Sequence, residues 1–218
     1  MSDEAIERAV KRVLHSLPAG VTLVAAAKSR RVDEVRAAIR AGVTCVGHNY
    51  VQEAVVMIPL ITDVRWHMIG HLQRNKARSA VELFDMIETL DSWPLACEIE
   101  RRCAAMDKVM PVLVEVNSGR EVNKTGVLPE DLDALLRQVS QLPHLRIQGL
   151  MTMGPRFGDP ENARPYFRAT REAFKRLAAV NIPNVEMRCL SMGMSNSYQV
   201  ALEEGASMVR IGTLLFGR

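Results

Sequence analysis

Aromatic residues make up only 5% of this 218-residue chain, and its 28 lysines and arginines against 25 acidic residues leave a formal charge of just +3, spread along the sequence. A nucleic-acid surface needs a clustered basic stripe and, for single strands, stacking rings. With neither present, small molecules are the expected partners. Cysteine is scarce too: Cys45, Cys97, Cys103 and Cys189 form no Cys-x-x-Cys pair and no metal-ligand rhythm with histidine. Such isolated thiols are reduced core residues, so the expected location is cytoplasmic. No stretch is apolar for long enough to span a bilayer, and the acidic head of MSDEAIERAVKRVLHSL is not that of a secretory signal. No linker or low-complexity tract divides the chain, so residues 1–218 are expected to form a single domain.

What is abundant is apolar residue, at 48%, and it comes in a rhythm. Ile6, Val10, Val13, Leu14 and Leu17 share one face of an N-terminal amphipathic helix, with Ser2 as its cap. From Val21 onward, short apolar runs alternate with segments of helical period. The runs cover 21–27, 43–47, 64–70, 83–90, 110–117, 145–153, 185–193 and 207–217. A helix between the fourth and fifth runs is expected to be capped near Asp91 or Ser92, with Pro94 in its first turn. Eight candidate strands with helices between them predict a closed (β/α)8 TIM barrel of the α/β class rather than an open doubly wound sheet.

In such a barrel, chemistry belongs to the C-terminal strand ends. Those ends read Lys28, GHN (47–49), IGHLQ (69–73), VNSG (116–119), MTMG (151–154), SMGMSN (191–196) and RIGT (210–213). Alternation places Val24, Ala26 and Lys28 on one face, which points Lys28 at the mouth if Ala26 points inward. A strand-end lysine can simply reach solvent past its own stem, or it can serve as a Schiff-base amine toward an aldehyde. SMGMSN precedes a helical pattern and offers amides and hydroxyls, those of Ser191 and Ser195, to an anion. Gly212 and Thr213 end the eighth strand, beside the customary phosphate position of these barrels. Gly193 and Gly212 can equally be turn glycines, and Ser195 a cap. Two such loops opposite an amine favour a phosphorylated aldehyde as ligand. Arg210 shares a face with Gly212. It reads either as a buried ion-pair arginine or as a guanidinium that keeps a pyridine nitrogen unprotonated, which would make the cofactor a poor electron sink.

The ordered set AAAKS, GHNYVQEA, WHMIGHLQRNK, EVNSGREVNKTG, GLMTM, SMGMSNS and EEGASMVRIGTLLFG resembles the pyridoxal phosphate homeostasis proteins over nearly the whole chain. That family is similar to the barrel domain of alanine racemase standing alone, a fold type III architecture. The resemblance implies pyridoxal 5′-phosphate as cofactor, held as an internal aldimine on Lys28. It implies phosphate contacts at Ser191, Ser195, Gly212 and Thr213, a ring-nitrogen contact at Arg210 and a pocket-wall role for Asn49. His67, Met68 and His71 line the same pocket or belong to the core. Lys124 is either a ligand-handling amine or an ordinary solvated one. Three departures from the family stand out: His48 where relatives carry Glu, Ser197 where they carry an acidic residue, and the basic SRR that follows Lys28.

Related racemases add a tyrosine base from a second, β-rich domain, which is expected to be absent because this sequence ends just after the eighth strand. Tyr50, Tyr166 and Tyr198 do not sit at an obvious position for that base. The expectation is therefore a monomeric, largely non-catalytic carrier that buffers pyridoxal phosphate within the cell or delivers it to apo-enzymes dependent on it. An amino-acid racemase is the alternative, and a cofactor-free lysine aldolase a more distant one.

Overall fold

A computed structural model describes residues 1–155 and 157–217. Its strands are β1 (Thr22–Ala26), β2 (Cys45–His48), β3 (Arg65–Met68), β4 (Met86–Leu90), β5 (Met110–Val116), β6 (Leu145–Thr152), β7 (Val185–Ser191) and β8 (Met208–Ile211). They close in chain order into a parallel barrel. β1 pairs with both β2 and β8, so the sheet has no free edge. Around it run α1 (Asp3–Ser16), α2 (Val32–Arg40), α3 (Val51–Met57), α4 (Ala77–Leu83), α5 (Trp93–Ala104), α6 (Leu132–Val139), α7 (Arg164–Ala178), α8 (Tyr198–Glu203) and α9 (Thr213–Phe216).

The helices form where the sequence supplies both a stripe and a start. Ser2 accepts the Ala5 N–H at 3.3 Å, and Ile6, Val10 and Val13 of α1 are buried. Arg40 at the end of α2 reaches back to Asp3 and Glu7 of α1 at 2.9 and 3.0 Å. Ser92 caps α5, with Pro94 in the first turn, where a missing N–H costs nothing.

Each strand is shorter than its apolar run, and two of the runs give part of their length to a helix. The run 83–90 begins on the last residue of α4, and Phe84 caps that helix. Asp85 then accepts the Trp66 N–H at 2.7 Å and leads into β4. The run 207–217 stops being a strand at Gly212, whose carbonyl accepts the N–H groups of Leu215 and Phe216 and so starts α9. Leu215 and Phe216 are apolar because that short helix packs inward. At the β6–β7 seam, Gly149 has φ +149°, and a Cβ there would lie 1.8 Å from the Cys189 carbonyl oxygen. Only glycine fits so close an approach, and the strand register shifts at this point.

The apolar core divides into layers. The large cluster lies between sheet and helices. Two small clusters fill the barrel, one of Val24, Cys45, Ile69 and Met208, the other of Met86, Leu113 and Met151. These interior residues alternate with outward ones along each strand. The same parity carries Ala26, Glu88, Glu115, Ser191 and Arg210 toward the C-terminal end.

Candidate functional site

The C-terminal strand ends surround a cavity of about 830 Å³. Lys28, Asn49, Ser195, Arg210, Gly212 and Thr213 all line it, together with Ile69, Lys124, Met153 and Met194. Lys28 stands two residues beyond the end of β1, exposed, with Nζ 5.4 Å from the centre of the Tyr50 ring. On the neighbouring β8 side of the cavity, Ser195 Oγ accepts the N–H groups of Gly212 and Leu214 at 3.3 and 3.4 Å. That contact ties the loop after β7 to the loop after β8. Gly212 approaches the first strand so closely that a Cβ would lie 3.3 Å from the Ala26 carbonyl oxygen. Gly193 adopts φ +93°, and its neighbour Met194 donates to Ser197 Oγ at 3.3 Å, which folds the segment into a tight turn before α8.

Beneath this cavity the barrel interior is charged, where apolar packing is the rule. Glu88 is fully buried. It contacts His67 Nδ1 at 2.7 Å and accepts the Ser191 hydroxyl at 2.6 Å. Arg210, 4% exposed, donates from Nη1 to Ser191 Oγ at 2.5 Å and from Nη2 to the Thr152 carbonyl at 2.9 Å. Burial by itself would raise the Glu88 carboxyl, but the contacts with His67, Arg210 and Ser191 outweigh it and hold the group below the usual carboxylate range. Burial lowers Arg210, opposed by Glu88 and Glu115. A buried ion pair of this kind is sustained only when its remaining polar atoms are satisfied, as Ser191, His67 and Thr152 do here. Glu115 differs: burial raises its carboxyl, Thr125 donates to Oε1 at 2.9 Å, and Oε2 is without a hydrogen-bond partner.

The expectations sort cleanly against this geometry. Ser191 is not on the cavity surface; it is fully buried, and its hydroxyl is engaged below by Glu88 and Arg210. His67 belongs to the same buried layer, and Met68, 1% exposed, packs in the outer apolar layer. His71 sits at the surface, 3.4 Å from Asp91. Lys124 does line the cavity, held by Glu121 at 2.5 Å and lying 5.7 Å from the centre of the Tyr166 ring. Glu88 was not anticipated, although an acidic residue two positions after Met86 in an otherwise apolar strand is a legible sign of an inward charge.

The family model for the alanine racemase N-terminal domain matches residues 2–218. A pyridoxal phosphate homeostasis protein of Aquifex aeolicus is 42% identical over 197 residues, 89% of this chain and 86% of its own. The chain belongs to the pyridoxal phosphate homeostasis proteins. Two solved structures of PipY from Synechococcus elongatus PCC7942, one without PLP and one with PLP bound, superpose with TM-scores of 0.91 and 0.88 at 36% and 34% identity. Each covers 97% of this chain and 100% of PipY. Alanine racemase from Bacillus anthracis shares the fold, with a TM-score of 0.80 at 17% identity over 99% of this chain and 56% of the racemase.

In this pyridoxal phosphate homeostasis protein, the three places expected to depart from the family have definite roles in the geometry. His48 does not bring a cation to the mouth. It points away from the barrel interior, fully buried, stacked on Trp66 with ring centres 5.7 Å apart, and burial lowers it. Ser197 serves the turn at Met194. The basic SRR forms a strap: Arg30 donates from Nε to the Lys28 carbonyl at 3.3 Å and from Nη1 to the Phe216 carbonyl at 3.4 Å. The first loop is thereby joined to α9. No helix among the described residues is long and apolar enough to cross a membrane.

Proposed function

We propose that this chain, acting as one domain, binds pyridoxal 5′-phosphate through Lys28 and buffers or delivers it inside the cell. One observation carries the reading: Lys28, Arg210 and the Ser195–Gly212–Thr213 rim line one and the same cavity. The residues fit the ligand part by part. An amine suits an aldehyde, and a guanidinium held charged beside Glu88 suits an unprotonated ring nitrogen. The hydroxyls of Ser195 and Thr213, next to the glycine of the eighth loop, suit a phosphate. PLP bound in the PipY structure and the homeostasis role named for the relatives support the same assignment.

Bound pyridoxal phosphate supplies a reactive aldehyde on an aromatic ring. Lys28 would hold it covalently through its amine, the group that suits an aldehyde. Arg210 orients the ring, and because it keeps the ring nitrogen unprotonated it denies the site a strong electron sink. Ser195, Gly212 and Thr213 retain the phosphate, and Asn49 bounds the ring from the wall. That division of labour suits storage better than turnover.

The tyrosines support a carrier over a racemase. Tyr198 turns its hydroxyl toward Ser16 of α1 at 3.3 Å, Tyr166 packs against the backbone of Gly119, and Tyr50 lies beside Lys28 rather than across the cavity from it. Apo-enzymes dependent on the cofactor are the proposed recipients, and the carrier is proposed to act as a cytoplasmic monomer. The test is borohydride reduction of protein incubated with pyridoxal phosphate, followed by mass spectrometry. A stable adduct on Lys28, absent in Lys28→Ala, is the expected result; an adduct that persists in Lys28→Ala overturns the reading. Loss of optical activity from single L-amino acids at several turnovers per second would replace the carrier with an enzyme.

A further inference from the structure

The backbone just after Lys28 is held in an unusual way. Ser29 adopts φ +57°, a left-handed conformation that a residue with a Cβ rarely takes. Its N–H donates to Glu53 Oε2 at 2.9 Å. Glu53 lies in the first turn of α3, whose capping residue, Tyr50, places its ring 5.4 Å from Lys28 Nζ. On the other side of Lys28, the Ala27 N–H donates to the Gly47 carbonyl at 2.9 Å. Lys28 is thus the one residue between a strand-type hydrogen bond and a side-chain clamp. The direction of its Cα–Cβ bond depends on both.

We propose that Glu53 is the positioning residue for Lys28: its carboxylate pins Ser29 in the left-handed conformation and thereby aims the Lys28 side chain into the cavity. The inference rests on the reading that Lys28 is the attachment point. The Arg30 N–H closes a turn on the Ala27 carbonyl at 3.1 Å, and Glu53 adds the side-chain hold on Ser29 within it; without that hold a non-glycine residue is left in a region that costs it free energy, and its return to an ordinary φ would swing the preceding side chain. The clamp carboxylate has a second neighbour. His48 Nδ1, buried and without a hydrogen-bond partner, lies 3.8 Å from the same Glu53 oxygen, and His48 Nε2 lies 3.4 Å from the Met57 sulfur at the end of α3. Glu53 therefore stands between the buried outer layer of the barrel and the loop that bears the amine. It touches neither the cavity nor its ligand, so it acts only through the backbone.

The test separates aim from affinity. Attachment joins Lys28 Nζ to the aldehyde carbon with release of one water, so its rate reads the direction of the amine. Binding of pyridoxine 5′-phosphate, which carries an alcohol in place of the aldehyde, reads the remainder of the cavity. For Glu53→Ala, the rate of formation of the borohydride-stable adduct should fall about tenfold, the loss expected for a hydrogen bond to a charged acceptor. Affinity for pyridoxine 5′-phosphate should be unchanged. Glu53→Gln, whose amide oxygen can accept the same N–H, should recover most of the rate, and Glu53→Ser, too short to reach, should behave like the alanine variant. Attachment at the wild-type rate in Glu53→Ala, or equal loss in Glu53→Gln, or a parallel loss of pyridoxine 5′-phosphate binding, overturns the proposal. Wild type and Lys28→Ala run alongside keep the two readings apart. If wild type forms the adduct on Lys28 and Glu53→Ala forms it equally fast, only the positioning role falls; if wild type forms none there, both fall.

Discussion

Arg210 Nη1 and Glu88 Oε2 lie 3.9 Å apart, and Ser191 bridges them, accepting from the guanidinium and donating to the carboxylate. The cation that faces the cavity is thus neutralised from beneath, by a residue of β4, four strands away from β8 in either direction around the barrel. Removal of one partner leaves the other as an uncompensated buried charge. Glu88→Ala should therefore cost about 3–5 kcal/mol of folding free energy, and Glu88→Gln distinctly less, because the amide still accepts from Ser191. Urea unfolding at neutral pH measures both. A Glu88→Ala protein within about 1 kcal/mol of wild type would falsify the pairing.

A second prediction concerns the wall that carries Asn49. A Cβ at Gly70 would lie 2.2 Å from the Asn49 carbonyl oxygen and 2.6 Å from its Cα. Neither is a flexible side-chain end, so the backbone of the second loop must move. Gly70→Ala should destabilise the fold by about 1–3 kcal/mol, as overpacking does, and weaken pyridoxal phosphate binding through displacement of Asn49. Thermal unfolding and a fluorescence titration on the same preparation check the two effects. Unaltered stability and affinity together would show that Asn49 is not held by this contact.

The pH dependence of stability should carry a signature of His48. Burial holds its folded-state pKa below the ordinary value near 6.5, opposed by the charge of Glu53. Below that ordinary value the unfolded chain takes up the proton and the folded chain does not. The contribution is therefore fully present above about pH 6.5 and is lost as pH falls from there toward the folded pKa. His48→Phe keeps a ring against Trp66 and removes the titration. Urea midpoints measured from pH 7.5 to 5 should fall less steeply in this variant than in wild type; identical slopes would remove His48 as a source of acid sensitivity.

Much of the barrel could be read directly from periodicity. The eight strands, α1 with its Ser2 cap, and α5 with Ser92 and Pro94 follow from local spacing, because a buried strand and an amphipathic helix each impose their own period on the chain. The misjudged ends, at 83–85 and 212–216, are places where apolar residues serve a helix next to a strand. Composition does not separate those two uses. Of the candidate site, Lys28, Asn49, Ser195, Arg210, Gly212 and Thr213 were legible because strand ends in a barrel share one rim.

The amino-acid sequence by itself determined the alternation of strands and helices, the placement of an amine at the first strand end, and the glycine and hydroxyl chemistry of the last two loops, since all of these depend on near neighbours in the chain. Only the tertiary structure decided that Ser191 faces down to Glu88, that His48 is a buried outer-layer ring, and that Glu53 holds Ser29. These contacts join residues 103, 18 and 24 positions apart. The partner of a buried polar group is whichever donor or acceptor the closed barrel brings within about 3 Å, and no local pattern encodes that choice.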